Sequence, residues 1–230
     1  MERVVSYDRQ TTNSPNPIAR YAHRKRVANS VSLIAKHLPQ DGRVCDFGAG
    51  TGLILSALAD SRPDAVLYAV EPFMPQSQDS RIAYVSGLRE LPCKLDMLVS
   101  FETSEHLTDS ELENFLNEGA GALNDNGKLI LSVPIMMGAA LLLKELNRSV
   151  LFRRRSEYSI TELIAGVLGR QVQRPANRLP THKGFDFRWL QHEVAKLFVV
   201  EQRLLSPLPL PWWMNSQVFL VCSRKPGPRI

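Results

Sequence analysis

The chain has 230 residues, of which 44% are hydrophobic and 22% are charged, and its formal net charge is +5. This length supports one domain with a sizeable core. The three cysteines match no metal-ligand spacing, argue against a disulfide framework and favour a reducing, cytoplasmic location. No transmembrane helix is expected, because the uncharged run 129–143 is short and contains Pro134 and Gly138.

Apolar spacing divides the chain into alternating helices and strands. Residues 1–16 are polar and lack the apolar core of a signal peptide, so we expect a flexible tail followed by a single domain over 17–230. Helical periodicity predicts helices at 17–38, 53–58, 110–123 and 187–197. Short apolar runs predict strands at 44–47, 66–70, 82–85, 95–101, 128–133, 198–205 and 217–223.

This alternation predicts an α/β fold with a doubly wound, mostly parallel sheet. Between residues 135 and 180 the pattern loosens into amphipathic, arginine-rich segments, with helical periodicity at 136–146 and 160–168. We therefore expect a helical insertion or lid after the fifth strand.

A glycine-rich loop follows the first strand. The strand runs into Asp46, and glycines stand at 48, 50 and 52 before the next helix. Glycine lets the backbone turn sharply into a helix and approach a ligand, so the loop is typical of a nucleotide site. Its spacing differs from the dinucleotide fingerprint, whose last glycine comes three residues after the second.

The string Asp-Phe-Gly-Ala-Gly-Thr-Gly resembles the first motif of class I S-adenosylmethionine-dependent methyltransferases. The resemblance implies a Rossmann-like, seven-stranded sheet with an antiparallel last strand, and a carboxylate at Asp46 close to the amino group of the cofactor. It also implies a set of cofactor-binding residues in the loop: Asp46, Gly48, Ala49, Gly50, Thr51 and Gly52.

Two further cofactor contacts are expected at later strand ends. Glu71 ends the second strand, where a carboxylate can accept hydrogen bonds from both ribose hydroxyls. After the third strand, the resemblance places an acidic residue near the adenine in many relatives, but this position is Gly87 here. We therefore expect backbone groups near Leu88 to contact the adenine.

The acceptor site is predicted after the fourth strand, where Glu102, Glu105 and His106 share one face if the segment is helical. The pattern resembles the Glu-x-x-Glu-His of small-RNA 2′-O-methyltransferases and ubiquinone-pathway O-methyltransferases, which bind a divalent metal there. The RNA enzymes add a later histidine, for which His182 is the counterpart. Oxygen and nitrogen ligands together favour Mn²⁺, Fe²⁺ or Co²⁺ over Mg²⁺. Two alternatives stay open: His106 or His182 as a metal-free catalytic base, and a purely structural role.

The sequence says least about the molecule that accepts the methyl group. The segments 182–186 and 215–219 resemble methyltransferases of bacterial cell-surface polysaccharide pathways, and Trp212 and Trp213 are candidates for a substrate wall. We expect O-methylation of a small molecule or glycan intermediate. The alternatives are an RNA 2′-O-methyltransferase and a non-enzymatic scaffold, because the basic clusters 20–26 and 153–155 could meet RNA or an anionic membrane surface.

Overall fold

The computed structural model describes residues 17–151, 155–178 and 181–225. The predicted tail 1–16 and two arginines of the cluster 153–155 lie outside these ranges. The helices are α1 Pro17–His37, α2 Leu53–Ser61, α3 Asp109–Ala122, α4 Ala139–Leu151, α5 Ile160–Val167 and α6 Phe187–Leu197. The strands are β1 Arg43–Phe47, β2 Val66–Val70, β3 Ile82–Tyr84, β4 Leu95–Phe101, β5 Leu123–Pro134, β6 Phe198–Ser206 and β7 Gln217–Arg224.

The seven strands form one sheet in the order β3-β2-β1-β4-β5-β7-β6. The first five strands pair in parallel, whereas β7 is antiparallel to both β5 and β6. The predicted fold class is thereby confirmed, including the antiparallel last strand. The chain order reverses between β1 and β4, which makes their carboxyl ends the topological switch point of the sheet.

Both faces of the sheet are covered by helices because the central strands are apolar on both sides. On one face, Val44 and Met97 pack with residues of α1 and α2 such as Ile34 and Leu55. On the other face, Cys45 and Leu98 pack with residues of α3 and α6. Neighbouring residues of one strand thus enter opposite cores, as the two-residue period of a strand requires.

The start of β5 differs from the prediction. Residues 124–127 were expected to form a turn between a helix and a strand at 128–133, but β5 begins at Leu123. Its pairing with β4 shifts register between Leu95 and Met97, which takes up the extra residues as an irregularity. Asn124 stabilises this stretch by donating a hydrogen bond to Asp96 across 2.8 Å.

The predicted insertion contains α4 and α5, with α4 displaced towards the carboxyl end from the predicted 136–146. Gly138 causes this displacement, because its φ of 71° turns the chain after β5 and the helix can begin only beyond it. Ser159 begins α5 with a capping box to Glu162. Among the described residues, no helix has the length and apolar character needed to cross a bilayer.

Gly138→Ala should destabilise the protein by about 2–3 kcal/mol. The backbone conformation at Gly138 disfavours a side chain, and a Cβ there would lie 2.7 Å from backbone atoms of Trp213. Urea unfolding followed by circular dichroism measures the loss. The matched control is Gly121→Ala in α3, where an added Cβ meets nothing within 4 Å and should stabilise the helix by about 0.5–1 kcal/mol. Equal stability of the two variants would contradict the strain assigned to Gly138.

Candidate active site

The carboxyl ends of β1, β2 and β4 bring three of the predicted site segments together. Asp46 in β1 is level with Ala69 of β2 and with Val99 of β4. Glu71 and Glu102 directly follow the last residues of β2 and β4. Parallel pairing therefore collects these acidic residues along one edge of the sheet.

The three glycines of the loop have different roles, although all have positive φ. A Cβ at Gly48 would lie 2.3 Å from Oγ1 of Thr103, and a Cβ at Gly52 would lie 2.8 Å from Cβ of Ser77. These two glycines allow close packing within the chain. At Gly50, no described atom lies within 4 Å of an added Cβ. Gly50 is thus the position where loop backbone faces open space that a ligand can fill.

Asp46 is a buried acid with an unsatisfied oxygen. Its side chain is 2% exposed, and its buried Oδ1 has no hydrogen-bond partner among the described residues. Burial, and secondly the charge of Glu71, raise the pKa of the Asp46 carboxyl to about 7. A cationic group brought to this carboxylate would lower the cost of its ionisation.

Glu71 braces the glycine loop from the end of β2. Its carboxylate accepts hydrogen bonds from the backbone N–H groups of Gly50 at 2.8 Å, Phe73 at 2.8 Å and Met74 at 3.0 Å. A carboxylate has about four acceptor positions, so capacity remains for a ribose hydroxyl. Leu88 begins a short 3₁₀ helix and its side chain is buried in the core, which leaves only its backbone for the predicted adenine contact.

The segment after β4 is a turn instead of a helix. Glu102 has a left-handed backbone with φ of 55°, and its carboxylate is held by Gln217 at 2.9 Å and Arg26 at 3.2 Å. Glu102 therefore does not join Glu105 and His106 on one helical face. The predicted set of four metal ligands is assembled only in part.

Glu105, His106 and His182 do come together, and we name these three residues the acceptor cluster. One potential ligand atom from each lies within 4.8 Å of the others. The two imidazole Nε2 atoms are 3.2 Å apart, and Oε1 of Glu105 is 3.7 Å from Nε2 of His182. Both carboxylate oxygens of Glu105 are buried and have no hydrogen-bond partner among the described residues.

Protonation in the acceptor cluster follows from burial. Burial, and secondly the charge of Glu102, raise the pKa of Glu105 well above its ordinary value. Burial lowers the pKa of His182, so its contact with Glu105 is not an ion pair at neutral pH. The Nδ1 atom of His106 lies 3.1 Å from the carbonyl oxygen of Arg178. A carbonyl can only accept, so a neutral His106 carries its proton on Nδ1 and leaves the lone pair of Nε2 facing His182.

The segment that carries His182 is tied to the insertion. Thr181 donates a hydrogen bond to Glu157, and the Lys183 ammonium donates to Glu162 and to the Glu157 carbonyl, both at 2.8 Å. These contacts fix the segment from the side of α5. The insertion thus determines where one member of the acceptor cluster lies.

Comparison with known proteins identifies the family. A family model described as a methyltransferase domain matches residues 18–165. The chain belongs to this methyltransferase family. It is a class I S-adenosylmethionine-dependent methyltransferase with the Rossmann-like fold of that group. The acidic sheet edge and the glycine loop are therefore parts of a methyltransferase fold.

Solved structures share the fold at low sequence identity. A protein from Pyrococcus horikoshii OT3 matches with a TM-score of 0.61 and 16% identity, covering 95% of this chain and 96% of that chain. The 1,6-didemethyltoxoflavin-N1-methyltransferase of Burkholderia thailandensis, solved with S-adenosylhomocysteine, matches with a TM-score of 0.58 and 15% identity, covering 87% and 79%. At these identities the likeness concerns the fold alone.

A curated relative is the ribosomal RNA small subunit methyltransferase C of Shewanella baltica, which is 28% identical over 118 residues. The match covers 45% of this chain and about a third of that protein, at 34%. The match agrees with the methyltransferase family and does not identify the methyl acceptor.

Several polar residues of the site were not predicted from the sequence. Arg26 and Gln217 hold Glu102 from 76 and 115 residues away along the chain. Lys144 of α4 is the third, and it donates to the carbonyl oxygens of Ile135 and Ser216. Burial lowers the pKa of Lys144 to about 8 against the opposing charges of Glu102 and Glu105. No spacing signal links residues this far apart, and only the fold brings them together.

Asp46→Asn should make the methyltransferase more stable without cofactor, and increasingly so as pH rises. The folded Asp46 carboxyl has a raised pKa of about 7 against an ordinary 3.8, so wild-type stability is lost as pH rises through that window. The asparagine variant has no such loss. Its advantage over wild type should grow by roughly 2–3 kcal/mol between about pH 5 and pH 8, measured by urea unfolding.

The matched control is Asp125→Asn, because the Asp125 side chain is fully exposed. Its stability difference from wild type should not change with pH. A pH-independent difference for Asp46→Asn as well would show that Asp46 is not held neutral by burial.

Proposed function

We propose that the methyltransferase transfers the methyl group of S-adenosylmethionine to a hydroxyl oxygen of a small molecule or glycan intermediate. The observation that carries the proposal is the acceptor cluster, in which two imidazole nitrogens and a buried carboxyl converge just after the carboxyl end of β4. A hydroxyl group must lose or share its proton to become a good nucleophile, and this cluster consists of groups that accept protons or bind cations.

Cofactor binding is assigned to the glycine loop and Glu71. The buried Asp46 carboxyl would meet the ammonium group of the methionine part, and the open side of Gly50 would give the cofactor its place against the loop. Glu71 would accept a hydrogen bond from a ribose hydroxyl while it keeps the loop in position through Gly50. Ala49 and Thr51 lie between the glycines, and their backbone would form part of the proposed cofactor site.

The proton of the acceptor hydroxyl is assigned to the two histidines. The Arg178 carbonyl holds the His106 proton on Nδ1, so Nε2 accepts a hydrogen bond from Nε2–H of His182. His182 then keeps a lone pair on Nδ1. Its lowered pKa makes it a weak base, which suffices to take the hydroxyl proton as the bond between the hydroxyl oxygen and the methyl carbon forms. Methyl transfer is an in-line displacement, so the remaining task of the site is alignment of that oxygen with the methyl group.

The same three residues fit a divalent cation. Metal–nitrogen bonds of about 2.0–2.1 Å in a tetrahedral site put neighbouring ligand atoms about 3.4 Å apart. Two distances in the acceptor cluster, 3.2 Å and 3.7 Å, are close to this value, and the whole set lies within 4.8 Å. The carboxyl of Glu105 has no other partner among the described residues. Glu105, His106 and His182 would hold the ion, and mixed oxygen and nitrogen ligands favour Mn²⁺, Fe²⁺ or Co²⁺. A bound cation would lower the pKa of a coordinated hydroxyl.

His182→Ala should reduce methyl transfer about 10²-fold or more, with little change in affinity for S-adenosylmethionine. The assay follows labelled methyl groups from S-adenosylmethionine into fractionated cell extract, and mass spectrometry of the product identifies the methylated atom. The matched control is His192→Ala, an exposed histidine of α6 outside the cluster, which should keep wild-type transfer. Transfer to nitrogen or carbon, or full activity of His182→Ala, would overturn the proposal.

Glu105→Gln should remove binding of Mn²⁺ while S-adenosylmethionine still binds. The substitution keeps the shape of the side chain but takes away the only carboxylate of the cluster, so affinity for the ion should fall at least 10-fold. Calorimetry with Mn²⁺ alone measures this without turnover. If wild type shows no Mn²⁺ binding and chelators leave transfer unchanged, the metal is excluded and the histidine base remains.

A further inference from the structure

Helix α4 exposes an aliphatic side to solvent while part of its inner side is charged. The inner side buries Ala140 and Leu141 and also carries Lys144, Glu145 and Arg148, which are buried or half-buried. Its outer side is almost entirely aliphatic and is 47% to 65% exposed. These outer residues are Leu142, Leu143, Leu146 and Val150. A surface helix that faces only water normally has the opposite arrangement.

Helix α5 packs against α4 and also has an exposed aliphatic side. Ile160, Ile164 and Leu168 are spaced four residues apart along one side and are 56% to 80% exposed. The two helices are in close contact, because a Cβ on Gly166 would lie 2.5 Å from Cδ2 of Leu141. We name the seven exposed aliphatic side chains of α4 and α5 the α4–α5 face. Exposed apolar residues grouped in this way mark interaction sites.

The charge around this face is positive. The described residues 139–151 and 155–178 contain six lysines and arginines and three glutamates, a formal +3. None of the three glutamates is exposed: Glu145 is buried, and Glu157 and Glu162 are half-buried. Arg155 and Arg170 are exposed. The outward surface of this segment thus combines aliphatic and basic side chains.

We propose that the α4–α5 face docks on the surface of an anionic lipid bilayer. Aliphatic side chains of interfacial helices enter the boundary between headgroups and acyl chains, and neighbouring basic side chains meet the lipid phosphates. A second copy of the chain fits less well, since a two-fold contact through this face would bring two positively charged segments together. RNA fits less well because its phosphates offer no partner to seven exposed aliphatic side chains.

Vesicle co-sedimentation tests this surface with the full chain. The probes are vesicles of phosphatidylcholine alone and vesicles in which phosphatidylglycerol replaces a third of that lipid. Wild type should sediment with the anionic vesicles, and less so as ionic strength rises. The variant Leu146→Ser/Val150→Ser/Ile164→Ser should bind at least about 10-fold more weakly. Arg155→Gln/Arg170→Gln should weaken binding only to the anionic vesicles.

The matched control is Val199→Ser/Leu204→Ser, which removes two exposed aliphatic side chains of β6 and should bind like wild type. Circular dichroism and S-adenosylmethionine affinity verify that each variant is folded. No sedimentation of wild type, or equal sedimentation of the triple variant, overturns the proposal. So does a wild-type dimer that the triple variant abolishes, or salt-sensitive RNA binding without vesicle binding. None of these measurements requires turnover, so they are independent of the proposed acceptor.

Discussion

Burial of two carboxyl groups at one edge of the sheet is the constraint on which the site depends. Asp46 and Glu105 are 2% and 0% exposed, and one buried oxygen of Asp46 and both of Glu105 have no hydrogen-bond partner among the described residues. Such atoms lose hydration without compensation, so they reduce the stability of the protein. Asp46 lies in β1 and Glu105 lies in the turn after β4, and both strands are interior strands of the sheet.

Two neighbouring acidic residues have carboxylates with hydrogen-bond partners in the protein. Glu71 is satisfied by three backbone N–H groups, and Glu102 is held by Arg26 and Gln217. These two carboxylates stabilise the loops after β2 and β4. The acids at this edge therefore differ: Glu71 and Glu102 are held by groups of the protein, whereas Asp46 and Glu105 have oxygens that only a ligand would satisfy. Asp46 lies beside the glycine loop and Glu105 lies beside the two histidines, so the two unsatisfied acids mark two different binding places.

The part of the site that can be predicted consists of residues that are neighbours in the sequence or lie at the end of a recognisable strand or helix. Asp46 to Gly52 form one continuous loop, and Glu71 is found because it ends a clear apolar strand. His182 precedes a helix whose start is marked by Asp186. Glu102 was misjudged because its left-handed backbone breaks the helical spacing that joined it to Glu105. Arg26, Lys144 and Gln217 reach the site from three distant elements, and a pattern read along one chain has no signal for such contacts.

Helix α4 lies between the acceptor cluster and the α4–α5 face. The Lys144 ammonium is on its inner side, within electrostatic reach of Glu102 and Glu105, while its outer side presents four aliphatic residues. A helix is only about 10–12 Å across with its side chains, so whatever covers the outer side lies close to the acceptor cluster. Docking of α4 on a bilayer would thus bring the cluster to the membrane surface. An acceptor that is itself anchored there would then reach the histidines without leaving the lipid, whereas a freely diffusing acceptor would gain nothing from the contact.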